Sequence, residues 1–227
     1  MHTILFDIDG TLLHSGGAGQ AGVERALAEE FGVTAPTDGI PTAGRTDRGI
    51  ARDLIQFHQL EESEATYERL LRAYLRVLPL ELTARDGGVY PGVREVLARL
   101  SSRSDVRLGL LTGNYREAAW QKLRHYELDH HFHFGGFGDE HAHRDDVARQ
   151  AFADAQSHQA PSPIDASKLW VIGDTPADVQ CGRAIGARVI AVATGMFTRE
   201  ELEPTQPDHL FDDLRDVDTV LELWPAF

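Results

Sequence analysis

The sequence predicts an α/β fold, a parallel sheet covered by helices on both faces, with a helical module inserted near its start. Three observations carry that prediction. Short apolar runs recur along the chain, segments of helical periodicity separate the later ones, and the first two runs stand about a hundred residues apart. Buried parallel strands read as short continuous apolar stretches, and their alternation with helices is the signature of a layered α/β domain.

In chain order, the predicted strands are Thr3 to Phe6, Val106 to Leu111, Phe132 to Gly136, Leu169 to Ile172 and Val189 to Val192. Val93, Val96, Leu97 and Leu100 follow Pro91 at helical spacing, with the proline suited to the helix's first turn. Ala118 to Tyr126 and Val147 to Ala155 read as further helices. A crossover between neighbouring parallel strands needs only a few tens of residues, so the long first interval implies an insertion. Within it Val23, Ala26, Leu27 and Phe31 form one apolar stripe. Ile50, Leu54 and Phe57 form a second, and Tyr67, Leu70, Leu71, Tyr74, Leu75 and Leu78 a third. Residues 15–88 are therefore read as an all-helical module joined through Ser15-Gly16-Gly17-Ala18-Gly19 and Asp86-Gly87-Gly88, with residues 1–14 and 89–227 as the core.

A chain of 227 residues can bury a sizeable core. Its formal charge of −14, without a Lys/Arg stripe, argues against nucleic acid as a partner. Lys122 and Lys168 are its only lysines, so arginine supplies nearly all positive charge. No run approaches the roughly 20 apolar residues of a membrane span, and Asp7 and Asp9 interrupt the N-terminus where a signal peptide would be apolar. With a single cysteine, Cys181, read as a small core residue, a cytoplasmic setting is expected.

Ligands of an open parallel sheet bind beyond the carboxyl ends of its strands. The first predicted strand ends at Asp7-Ile8-Asp9-Gly10-Thr11, the second at Thr112-Gly113-Asn114, and the fourth at Gly173-Asp174-Thr175-Pro176-Ala177-Asp178. Two acids at i and i+2 on a buried strand end repel unless a cation lies between them or one holds a proton. Thr112 offers a hydroxyl and Gly113 an unobstructed N–H near a helix start, both suited to phosphate oxygens. Asp174 and Asp178 add carboxylates, and a hard oxygen donor set without a Cys/His cluster fits Mg²⁺. Taken singly, each segment also reads as an ordinary capped turn. Their joint occurrence, in this order and each at a strand end, favours a site. The histidines of 129–133 and 141–143 match no standard ligand spacing and read as solvated or partly buried.

These segments resemble the motifs of the haloacid dehalogenase-like (HAD) hydrolase superfamily, over essentially the whole chain. Asp7-Ile8-Asp9-Gly10-Thr11 is similar to its first motif, DxDGT, Thr112 to its second, and Gly173 to Asp178 to its fourth, GDxxxD. The helical insert is similar to a C1-type cap. The resemblance implies a Rossmann-like three-layer core and a phosphatase, phosphoglycolate phosphatase-like, acting on a small phosphomonoester. It also implies the roles. Asp7 is the nucleophile, and Asp9 is the general acid and base. Thr112 and Gly113 hold the phosphoryl oxygens. Mg²⁺ is held by Asp7, the backbone carbonyl of Asp9 and Asp174, with Asp178 supporting the metal or the third-motif cation.

The family's third motif usually supplies a lysine, which is absent between Lys122 and Lys168. Arg144 stands at that spacing and is read as its substitute, binding phosphate bidentately. Asp9 disfavours the dehalogenase branch, whose halide leaving group needs no proton, and an insert without lysine disfavours Schiff-base phosphonatases. A β-phosphoglucomutase-like mutase and a catalytically weak binding module remain the alternatives. A phosphorylated receiver domain would be shorter and lack the insert. Arg45, in the insert, is the candidate contact to an anionic or hydroxylated leaving group, and a solvated arginine beside a capping Thr-Asp pair is an equal reading.

Overall fold

The computed structural model describes residues 1–225 apart from Pro36 and Asp38. In chain order, β1 (His2–Phe6) leads through β2 (Leu13–His14) to three long helices, α1 (Ala18–Phe31), α2 (Asp47–Phe57) and α3 (Glu64–Ala84). The chain returns through β3 (Gly88–Val89) to α4 (Val93–Ser101), β4 (Val106–Leu111), α5 (Arg116–His125) and β5 (Gly135–Gly136). It continues as α6 (Arg144–Gln159), β6 (Leu169–Gly173), α7 (Pro176–Ala184), β7 (Arg188–Val192), α8 (Arg199–Leu202), β8 (His209–Phe211) and α9 (Val217–Leu221). Six strands form one parallel sheet in the order β5-β4-β1-β6-β7-β8.

The period of two along each central strand divides the core into two layers. Ile4 and Phe6 of β1, Trp170 and Ile172 of β6, and Ile190 and Val192 of β7 share one apolar cluster with α4, α5, α9 and the inserted helices. Leu5, Leu169, Val171 and Val189 point the other way, against Val147, Ala148 and Ala151 of α6 and Val179 and Cys181 of α7. The predicted three-layer α/β architecture is thus the observed one. No helix among the described residues is long and apolar enough to cross a membrane.

The insert begins and ends side by side, because β2 and β3 pair antiparallel, Leu13 opposite Val89 and His14 opposite Gly88. Thr46 caps α2 by accepting a hydrogen bond from the Gly49 N–H at 3.1 Å, and Ser63 caps α3 by accepting from the Thr66 N–H. The three predicted stripes correspond to the three helices, with one exception. Phe57, placed on the second stripe, is 58% exposed and lies edge-on to the neighbouring His58 ring.

Other boundaries differ from the prediction for physical reasons. Pro91 lies outside α4, whose cap is Gly92 at φ +82°, where a side chain would overlap the Leu214 carbonyl. The predicted strand over 132–136 shortens to Gly135–Gly136 because a 3₁₀ turn, Asp129–His131, leads into it. Phe132 and Phe134 are nonetheless buried on opposite faces of the sheet. The edge strand β8 has no counterpart in the prediction. It has three half-buried residues between Pro207-Asp208 and Asp212-Asp213, too short and too polar in its surroundings for an apolar run.

Gly109 in β4 supports the Phe134 ring, which occupies the volume a β-carbon would take. We expect Gly109→Ala to lower stability by about 1–3 kcal/mol through overpacking, read as a fall in the urea unfolding midpoint.

Candidate active site

Strand β1 delivers Asp7 to the edge of the sheet, where its N–H still donates to the Ile172 carbonyl at 2.9 Å. A tight loop follows. The N–H groups of Leu12 and Leu13 donate back to the Ile8 carbonyl, and the Gly10 N–H donates to the Leu13 carbonyl. Gly10 takes φ +87°, and the Asp174 carboxylate lies where its side chain would be. The sharp turn lets two aspartates two residues apart face different surroundings.

Asp7 meets Asp174 and Asp178 from the end of β6, with a carboxylate oxygen of each within 4.8 Å of the others. Thr11 donates its hydroxyl to Asp174 Oδ1 at 3.1 Å. Asp178 is engaged on both sides: Oδ2 accepts from the Thr175 N–H and hydroxyl in the capping box that starts α7, and Oδ1 accepts from Arg144. That leaves Asp7 and Asp174 as the more open acids of the trio. Asp178 reaches the trio as a support whose oxygens already have partners. The Asp9 carboxylate is not part of it.

Arg144, the first residue of α6, is buried, and its guanidinium spans Asp7 Oδ1 at 3.3 and 3.4 Å, Asp178, and the Leu111 carbonyl at 3.3 Å. Its Nε is buried without a hydrogen-bond partner. Burial opposes the guanidinium's charge, but Asp178 and Asp7 more than offset it and raise its pKa above the usual arginine value. One cation among three buried acids leaves negative charge in excess. Burial pushes the Asp7 carboxyl up to about 7 despite Arg144, and burial together with Asp178 and Asp7 pushes Asp174 well above the carboxylate range. A hard divalent cation fits these oxygens and would relieve that excess.

Asp9 lies in a second network. Its Oδ2 accepts from Lys122 Nζ at 2.6 Å and from Asn114 Nδ2 at 2.8 Å. The Asn114 amide also donates to Thr112 Oγ1 at 2.8 Å and accepts from Lys122 at 2.7 Å. Thr112 is fully buried, its N–H used by β5 through the Gly136 carbonyl. A side chain at Gly113 would overlap the Arg45 carbonyl, so this glycine also lets the insert lie on the loop.

From the sequence, Lys122 and Asn114 had no assigned role, and Asp47 stood only as half of a capping Thr-Asp pair. Lys122 carried a signal: it stands four residues after Ala118 on the inward stripe of α5 and is 4% exposed. Asp47 opens α2 and accepts from the Tyr115 N–H at 2.8 Å, while its own N–H donates to the Gly113 carbonyl at 2.7 Å. Burial pushes its carboxyl up to about 6, against the opposing pull of Lys122. Arg45 borders a cavity that Asp7, Asp9, Asp47 and Lys122 also line, with its guanidinium on Asp53 at 2.7 Å and on the Pro41 and Gly49 carbonyls.

The family model described as haloacid dehalogenase-like hydrolase matches residues 4–192. Over 96% of its length the chain is 26% identical to a phosphoglycolate phosphatase of Nitrosococcus oceani, of which it covers 95%. Among solved structures, that of a predicted phosphoglycolate phosphatase from Haemophilus somnus superposes with a TM-score of 0.72 at 18% identity, covering 97% of both chains. CbbY from Rhodobacter sphaeroides, solved in complex with phosphate, gives 0.70 at 19% identity over 96% of each. The family model spans all three strand-end motifs, and the fold matches at full length. The chain is therefore an enzyme of the haloacid dehalogenase-like hydrolase family.

Proposed function

We propose that this enzyme is a Mg²⁺-dependent phosphatase that hydrolyses a small phosphomonoester through an aspartyl-phosphate on Asp7. The observation that carries this reading is the separation of the two loop aspartates. Asp7 stands in the acidic trio beside Arg144, whereas Asp9 is held outside it by Lys122 and Asn114. A nucleophile and an acid/base group serve one phosphorus from two sides only if they are kept in different surroundings.

In the first step an Asp7 oxygen attacks phosphorus in line. The bond from phosphorus to the substrate's alcohol oxygen breaks, its electron pair goes to that oxygen, and Asp9 supplies the proton. In the second step Asp9 takes a proton from water as the water oxygen attacks phosphorus. The bond to Asp7 breaks, and phosphate leaves with the Asp7 carboxylate restored. Lys122 and Asn114 fix Asp9 Oδ2 and with it the orientation of the carboxyl group. Arg144, with its unpartnered Nε, and the Thr112 hydroxyl are suited to the phosphoryl oxygens, with the Gly113 N–H as a third donor. Asp7, the Asp9 backbone carbonyl and Asp174 would hold Mg²⁺, with Asp178 behind them. When bound, the ion supplies positive charge that offsets repulsion between these acids and the phosphate. We assign the enzyme to the cytoplasm, a reading supported by its lone cysteine, which is buried in α7.

Four outcomes test this reading by phosphate release. Asp7→Asn is expected to lower turnover by roughly 10³-fold or more, and chelation of divalent ions should abolish wild-type activity until Mg²⁺ is restored. Arg144→Ala is expected to cost about 10²–10³-fold in kcat/KM, and near-normal turnover would remove it from phosphate binding. Lys122→Met should lower kcat by about 10²-fold with a smaller change in KM, because it acts on Asp9 rather than on substrate binding.

A further inference from the structure

Over the acidic trio lies a cavity of about 690 Å³. One wall is the chemistry just described. The insert supplies an apolar wall, from Val23, Ile40, Ile50, Leu54 and Tyr74, with Thr37 and Thr42 among them. Cavities of this size enclose ligands far larger than a two-carbon acid phosphate.

Among the described residues, the cations lining it are already paired. Three lysine or arginine side chains border the cavity, and each is committed to a carboxylate: Arg144 to Asp7 and Asp178, Lys122 to Asp9, and Arg45 to Asp53. Asp7, Asp9, Asp47 and Asp174 line the same space. A second anionic group on the substrate, beyond the phosphate, would have to break one of these pairs or lie without a cation in a lining that also carries Asp9 and Asp47. Both routes are costly in a partly desolvated site. An uncharged group meets no such penalty and gains contact with the apolar wall.

Building on the phosphatase reading above, we propose that the preferred substrate is the phosphomonoester of an uncharged, ring-bearing or otherwise bulky apolar alcohol, not of a short carboxylated one. The insert reads the alcohol by shape and apolar contact, and the Arg45–Asp53 pair keeps the remaining arginine from attracting acidic substrates.

The test is phosphate release by the full-length, Mg²⁺-supplied enzyme from ethyl phosphate, benzyl phosphate, 4-carboxybenzyl phosphate and 2-phosphoglycolate. Benzyl phosphate is expected to exceed ethyl phosphate and 2-phosphoglycolate by about tenfold or more in kcat/KM, with 4-carboxybenzyl phosphate about tenfold below benzyl phosphate. Asp53→Asn, which removes the charge that neutralises Arg45, should raise the ratio of 4-carboxybenzyl to benzyl turnover about threefold or more while leaving benzyl phosphate hydrolysis unchanged. A preference for 2-phosphoglycolate, a gain from the added carboxylate in the wild type, or an unchanged ratio in Asp53→Asn overturns the proposal and leaves the phosphatase reading standing. Failure to release phosphate from all four overturns both.

Discussion

The site depends on how three buried carboxylates are made to coexist at the edge of a sheet. Asp7, Asp174 and Asp178 are drawn together by strands β1 and β6, which lie side by side in register. Left alone, such a cluster would repel itself apart or bind protons. Arg144 answers part of that repulsion, because it opens α6, which shares a layer with the α7 that carries Asp178, and its side chain meets both Asp7 and Asp178. A planar guanidinium suits this position, since it meets two carboxylates and a carbonyl at once where an ammonium would act as a point charge.

The surrounding fold brings these groups to one place. The strands are buried on both faces, and their alternation commits each residue to one layer or the other. Loops at the strand ends are held by their own hydrogen bonds and by glycines that admit neighbouring groups. Gly10 and Gly195 both lie against the Asp174 carboxylate. The chemistry therefore rests on backbone geometry as much as on acidic side chains.

Much of this was legible from the sequence because strand ends in a parallel sheet converge. Asp7, Thr112, Asp174 and Asp178 stand where continuous apolar runs stop, and Arg144 stands where a helix begins. What escaped was long-range and polar. Lys122 looks like one charged residue on a helix until α5 is folded against the loop that carries Asp9, a contact 113 residues apart in the chain. Asp47 belongs to the insert, and no local pattern could reveal that it would bond to Tyr115 in the core. Strand β8 was missed because an edge strand of three half-buried residues needs no apolar run. Phe57 erred the other way, since helical spacing marks a face without saying how far the cover over it extends.

Asp47 also ties two parts of the molecule together. Its N–H reaches the Gly113 carbonyl and its carboxylate accepts from Tyr115, so the start of α2 is clasped to the loop immediately after Thr112. The insert cannot swing away from the core without breaking both bonds and unloading the segment that positions the Thr112 hydroxyl. Seating the insert and shaping that loop are thus one arrangement, and a substitution that removed either bond would be felt on both sides of it.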